Sequence, residues 1–202
     1  MLGRHEHPEV SLHSFSLAKY MKRVDAGDWA GVAELILASA ERLARAGADF
    51  LICPDNTIHQ AFDLVEHRSP RPWLHIAREV AAEAKRRDFR RVAVLGTRYL
   101  MEGPVYPLAL KAAGIDFRIP GAEQRQRINQ IIFDELVNGQ FLPQSLAYFV
   151  EVIQSLKEQG CDAVVLGCTE IPLLVAPQSS PLPALDSTRL LAKAALRKAI
   201  EG

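Results

Sequence analysis

The chain has 202 residues, 49% of them hydrophobic and 24% charged, with 24 basic and 24 acidic side chains and a formal net charge of zero. That length can bury one large core or two small ones, and the even charge balance advertises neither nucleic acid nor an anionic membrane surface as a partner. No apolar run is long enough to cross a bilayer and the first residues lack the apolar centre of a signal peptide, so a cytoplasmic protein is expected.

Glu9 to Phe15 alternates well enough to predict a strand. Asp28, followed by an apolar pattern through Ala46 and closed by Gly47, predicts an N-capped amphipathic helix. Phe50 to Cys53 reads as the next strand and Asn56 to Glu66 as the next helix, stopped by the loop Arg68 to Pro72. Trp73 to Ile76 predicts a short strand leading into a helix over Ala77 to Arg86. Arg91 to Gly96 reads as a buried strand, and Thr97 opens a turn toward a helix over Pro104 to Ala113. Gly114 to Pro120 predicts a further strand, followed by two amphipathic helices, Glu123 to Val137 and Pro143 to Glu158, parted by Asn138-Gly139. The strand Ala163 to Leu166, a short helix over Glu170 to Val175, a proline-rich loop over Pro177 to Pro183 and a last helix from Ser187 to Ile200 complete the chain. Strands separated by helices imply a parallel sheet covered on both faces, with ligands expected beyond the carboxyl ends of its strands.

Two stretches stand out at those ends. In Val164-Val165-Leu166-Gly167-Cys168-Thr169-Glu170 a strand runs into a turn whose thiol faces the start of a helix, a placement that favours a thiolate. Phe50-Leu51-Ile52-Cys53-Pro54-Asp55-Asn56-Thr57 echoes it, and two such turns suggest one site between two halves. Three cysteines, Cys53, Cys161 and Cys168, without CxxC spacing or a matching histidine pair, argue against a disulfide framework and a zinc site. Cys161 stands at the start of its strand and reads as structural, as do His59 and His75.

Gly167-Cys168-Thr169-Glu170-Ile171, Asn56-Thr57-Ile58-His59, Leu95-Gly96-Thr97-Arg98-Tyr99 and Ile128-Asn129-Gln130-Ile131-Ile132-Phe133 occur in one order along nearly the whole chain. Together they resemble the cofactor-independent aspartate/glutamate racemase family, which works without pyridoxal phosphate. The resemblance implies two pseudo-symmetric three-layer α/β/α halves with parallel sheets and the active site in the cleft between them. Residues 1–96 plus 187–202 would form the first half and residues 97–186 the second. It implies no cofactor or metal, a small amino acid or dicarboxylate as partner, and pairing into a homodimer. Inversion at an α-carbon needs an acid and a base on opposite faces, and the family supplies one thiol from each half.

This sequence departs from that pattern in three places. Asp55 stands where the family places its first cysteine, so Asp55 and Cys168 are the expected catalytic pair. An aspartate there could also simply cap the following helix, and Cys53, three residues before Asn56, could be a core residue or a displaced first thiol. Leu100 replaces the second threonine of the Gly-Thr-x-x-Thr turn. The glycine-rich opening β-α unit is not in evidence before Glu9, which would remove one wall of the pocket. Asn56, Thr57, Thr97 and Thr169 are the expected substrate contacts, with Glu170 behind them. Arg127, Arg98 and Lys22 are the candidates for a substrate's distal carboxylate, and no motif chooses among them. The activity so implied is racemisation of aspartate or glutamate. The alternatives are a related isomerase or decarboxylase of the same fold and a non-catalytic binder of small acids.

Overall fold

A computed structural model describes residues 6–201. Residues 7–16 carry no helix or strand, so the strand expected over Glu9 to Phe15 does not form. Alternation alone supplies no backbone partner, and Val10 and Leu12, the apolar residues that suggested it, are exposed. The chain instead enters helix α1 (Leu17–Asp25), which the sequence reading missed, and then α2 (Trp29–Arg45). The Asp28 carboxylate caps α2 by accepting the Gly31 N–H, and Gly47 ends it in the left-handed region at φ 96°. Strand β1 (Leu51–Ile52) leads into a 3₁₀ helix at Thr57–Leu64, tighter than the α-helix expected there. Strand β2 (Trp73–Leu74) pairs with β1 in parallel, and α3 (Ile76–Arg86) follows.

The second sheet is larger. Strand β3 (Arg91–Leu95) is followed by α4 (Arg98–Glu102) and α5 (Val105–Ala112), then by β4 (Asp116–Arg118), α6 (Ala122–Asp134) and α7 (Pro143–Glu158). Strand β5 (Ala163–Leu166), the single turn α8 (Ile171–Leu174), β6 (Ala184–Asp186) and α9 (Ser187–Glu201) close the chain. All pairs are parallel in the order β4-β3-β5-β6, with Leu95 opposite Leu166 and Leu166 opposite Asp186. By its hydrogen bonds β3 therefore belongs with β4 and β5, whereas the expected division grouped every residue up to 96 with the other half.

The apolar runs of β3 and β5 are explained by cover on both faces. Ala93, Leu95, Val164 and Leu166 pack into one core with Ile128, Ile131 and Ile132 of α6 and Phe149, Val152 and Ile153 of α7. Val92, Val94, Ala163 and Val165 point the other way, against Ala77, Val80 and Ala84 of α3 and Tyr106 and Leu110 of α5. A third core joins Val24 of α1, Val32, Ile36 and Leu37 of α2 and Ile58, Ala61 and Val65 beyond β1. The architecture is thus α/β with two parallel sheets and helices on their faces. No helix among the described residues is long and apolar enough to cross a membrane.

Two glycines let β3 and β5 finish side by side. The Gly167 N–H donates to the Leu95 carbonyl at 2.7 Å, and a Cβ on Gly96 would stand 2.7 Å from Leu100 Cδ2 and 3.0 Å from the Gly167 carbonyl. The Leu100 side chain is wedged against both glycines and is 1% exposed. The residue that replaces a threonine in the family pattern is therefore a core plug, and the hydroxyl it lacks has no access to the site.

Candidate active site

The turns that follow β1 and β5 meet at a cavity of about 390 Å³. The first turn contributes Pro54, Asp55, Asn56, Thr57 and Ile58; the second contributes Gly167, Cys168, Thr169 and Glu170; Thr97 and Tyr99 come from the turn after β3. Six of the expected site residues line this space. Asp55, Asn56, Thr57 and Thr97 line the cavity together with Cys168 and Thr169, and Cys53 does not line it.

Cys53 packs instead against the core formed by α1, α2 and the 3₁₀ helix, where burial, reinforced by the nearby Asp55 carboxylate, pushes its thiol up to about 12. Of the two candidates on the first turn, Asp55 is the one that faces the cavity. Its carboxylate accepts the Ile58 N–H at 3.0 Å, so the capping reading also holds. The residue is exposed to solvent and lines the cavity. Loss of solvation raises its pKa above the usual carboxylate range, against the Ile58 and Thr57 N–H groups, and the Glu170 charge adds to the rise.

His59 fixes this turn from behind. Its Nδ1 lies 2.6 Å from the Asp55 carbonyl and its Nε2 accepts the Ile76 N–H at 3.5 Å, which makes Nδ1 the protonated nitrogen. Burial lowers its pKa to about 4, and lowers that of His75, whose ring centroid is 4.5 Å away, to about 3. Both histidines are neutral structural groups, as expected.

Cys168 departs from expectation in its charge. The following helix α8 is one turn of four residues, too short to set up a strong positive end. The Cys168 S–H donates to Glu170 Oε2 at 2.8 Å. Burial, then the Glu170 charge and that hydrogen bond, raise the thiol pKa far above its ordinary value, outweighing the Glu170 and Ile171 N–H groups. The resting residue is a thiol, an acid ready to give a proton, and not the thiolate expected from the helix start.

The polar residues bridge the two halves. Thr57 Oγ1 and Thr97 Oγ1 lie 3.1 Å apart, and Thr97 also caps α4 by accepting the Leu100 N–H. Asn56 is almost fully buried. Its Oδ1 accepts the Tyr106 hydroxyl at 2.7 Å and its Nδ2 donates to Ser187 Oγ at 3.0 Å, while Ser187 donates to the Leu166 carbonyl. The amide expected to hold substrate is therefore a strut between the β1 turn, α5, the start of α9 and the end of β5, with one N–H left over. Ser187 and Tyr106 were missed as its partners because they lie 131 and 50 residues away in sequence. Arg127 is not among the described lining residues; it is half exposed, 3.9 Å from Glu135. Its helix turns that side of α6 outward, while Ile132 and Phe133 turn toward the cavity.

The wall expected to be absent is present. Ser14, Phe15, Leu17, Tyr20, Met21 and Val24 line the cavity, and the Tyr99 hydroxyl donates to Asp25 at 2.6 Å, tethering α1 to the turn after β3. No sequence motif marked this segment, because its contribution is apolar surface.

The comparisons agree with this arrangement. Residues 2–195 match the Asp/Glu/Hydantoin racemase family. The broad specificity amino-acid racemase RacX of Bacillus subtilis (strain 168) is 26% identical over 192 residues, spanning 93% of this chain and 80% of that protein. A Yersinia pestis protein described as a candidate Asp/Glu racemase superimposes with a TM-score of 0.90 at 34% identity, over 98% of this chain and 87% of its own. An aspartate racemase homologue from Pyrococcus horikoshii OT3 gives 0.82 at 28% identity, over 99% and 85%. A match that runs along almost the full sequence makes this chain a member of the Asp/Glu/Hydantoin racemase family.

Proposed function

We propose that the protein is an amino-acid racemase that needs no pyridoxal phosphate and uses Asp55 and Cys168 as its two proton-handling groups. The observation that carries this reading is that both side chains, one from each strand-end turn, line the same cavity. With the substrate's α-carbon between them, the Asp55 carboxylate takes the α-proton from one face. The Cys168 S–H then gives its proton to the other face, leaving Asp55 protonated and Cys168 as a thiolate. Water entering the cavity returns both groups to their starting states. The raised Asp55 pKa supports its part as base, because a carboxylate that holds a proton more tightly abstracts one more readily. The protonated Cys168 supports its part as acid, and Glu170 can accept its proton when the reaction runs in reverse. The hydroxyls of Thr57, Thr97 and Thr169 and the N–H groups of the turns are the groups available to hold the α-carboxylate as carbanion charge spreads onto it.

Chiral chromatography of single-enantiomer amino acids, with the intact protein and with Cys168→Ser and Asp55→Asn, tests this reading. The intact protein should convert each enantiomer to a mixture and both variants should lose at least about a hundredfold in rate. Undiminished racemisation by either variant would remove that residue from the pair. A second reading is favoured by one observation, that Cys168 is the only thiol among the described lining residues. A decarboxylase or isomerase of this fold protonates a carbanion from one side, and it would show product from a disubstituted malonate or a cis-dicarboxylate where amino acids give none.

A further inference from the structure

We infer that the cavity is built for an amino acid with a neutral, apolar side chain and excludes one with a second carboxylate. The inference rests on the racemase reading for the position of the α-carbon and adds the substrate class. Among the described lining residues the only charged groups are Asp55 and Glu170; no Lys, Arg or His lines the space. Both acids sit on the turns that carry the proposed proton-handling groups, Glu170 in hydrogen-bond contact with Cys168. They therefore lie beside the α-carbon, where the substrate's ammonium group supplies the opposite charge.

The surface left for the side chain is hydrocarbon. Phe15, Leu17, Tyr20, Met21 and Val24 supply it from the N-terminal segment, and Ile132, Phe133 and Val137 supply it from α6 and the turn beyond. The cations that neighbour this wall, Lys22 and Arg98 among them, do not line the cavity; Arg98 stands over the Tyr99 ring at 5.4 Å. Lys19 and Arg42 stand over the Phe15 ring at 4.9 and 5.1 Å, Arg125 is paired with Glu102 at 2.9 Å, and Arg127 leans toward Glu135. A distal carboxylate placed here would lose part of its hydration, find no cation among the lining residues and face two acids at the reacting end, a combination that opposes binding. A lysine side chain would likewise carry its charge away from the acids and into the apolar wall. A leucine, methionine or phenylalanine side chain would bury its hydrocarbon against matching surface, and about 390 Å³ accommodates it.

The test uses the full chain and two measurements, titration calorimetry for binding and chiral chromatography for turnover, with L-leucine, L-methionine, L-phenylalanine, L-aspartate, L-glutamate and L-lysine. At least one apolar amino acid should bind tenfold or more tightly than aspartate, glutamate or lysine. Val137→Arg and Leu17→Arg place a cation at two solvent-exposed lining positions that fold without it. Either substitution should narrow the gap between the apolar amino acids and aspartate at least tenfold. Aspartate, glutamate or lysine binding as tightly as every apolar amino acid, or no binding of any of the six, overturns the inference. Tight apolar binding without turnover leaves the substrate class standing and sinks the racemase reading. Turnover with aspartate preferred does the reverse.

Discussion

Lowering the pH should loosen the turn that presents Asp55, because His59 is held there as a neutral ring. In the unfolded chain histidine titrates near its ordinary value of about 6.5, whereas in the folded protein burial brings His59 down to about 4. The unfolded state therefore binds the proton first. The stabilisation is complete above pH 6.5 and is lost as the pH falls toward 4. A gap of about 2.5 units at about 1.4 kcal/mol per unit amounts to about 3.5 kcal/mol, a large part of the 5–15 kcal/mol by which typical domains are stable. Urea denaturation at several pH values between 7.5 and 4.5 measures it, with His59→Asn as the control. Asparagine can still donate to the Asp55 carbonyl but does not titrate. The difference in unfolding free energy between wild type and His59→Asn should shrink by roughly 2–3 kcal/mol between pH 7 and 4.5. Parallel pH profiles for the two proteins would refute the reasoning, since they would mean that His59 is not kept from its proton by the fold.

Glu170→Gln removes the negative charge that helps hold a proton on Cys168 and offers the sulfur an amide N–H as well as an acceptor oxygen, so the thiol pKa should fall and alkylation by iodoacetamide at pH 8 should speed up, roughly tenfold for each unit of the fall. Tyr106→Phe strands the buried Asn56 Oδ1 and should cost about 1–3 kcal/mol in denaturant unfolding, with a further loss of activity through the displaced turn. Gly167→Ala drives a methyl group into Leu100 and the Leu95 carbonyl and should lower stability by about 1–3 kcal/mol; Leu100→Ala in the same chain should recover part of it by vacating the space.

The motifs located the site because its chemistry is carried by short turns. A strand such as Ala163–Leu166 can be read from four apolar residues in a row, and the glycine after it marks where the backbone must pass close to a neighbour. The turn residues Asp55, Thr57, Thr97, Cys168 and Thr169 follow directly from those strand ends, and all of them reach the cavity. Three things were not legible. Glu9 to Phe15 alternates like a strand, but strand formation depends on a partner that local sequence does not supply, and α1 then contributes to one wall with ordinary apolar residues. The charge state of Cys168 was not legible because burial and Glu170, two residues on, both favour the thiol, and the single turn of α8 is too short to offset them. The binding of Asn56 to Tyr106 and Ser187 joins positions far apart in the chain, and only folding shows that its amide is committed to them.

The most direct measurement is α-proton exchange in heavy water, followed by NMR for each enantiomer of one turned-over amino acid. With Asp55 and Cys168 acting on opposite faces, the intact protein should wash deuterium into both enantiomers, and faster into the one whose α-proton faces Asp55, because Cys168 rests as a thiol. Asp55→Asn should abolish exchange from that enantiomer, and Cys168→Ser should abolish it from the other. Exchange that is lost equally from both enantiomers in either variant, or that persists in both, would contradict a pair of opposed groups.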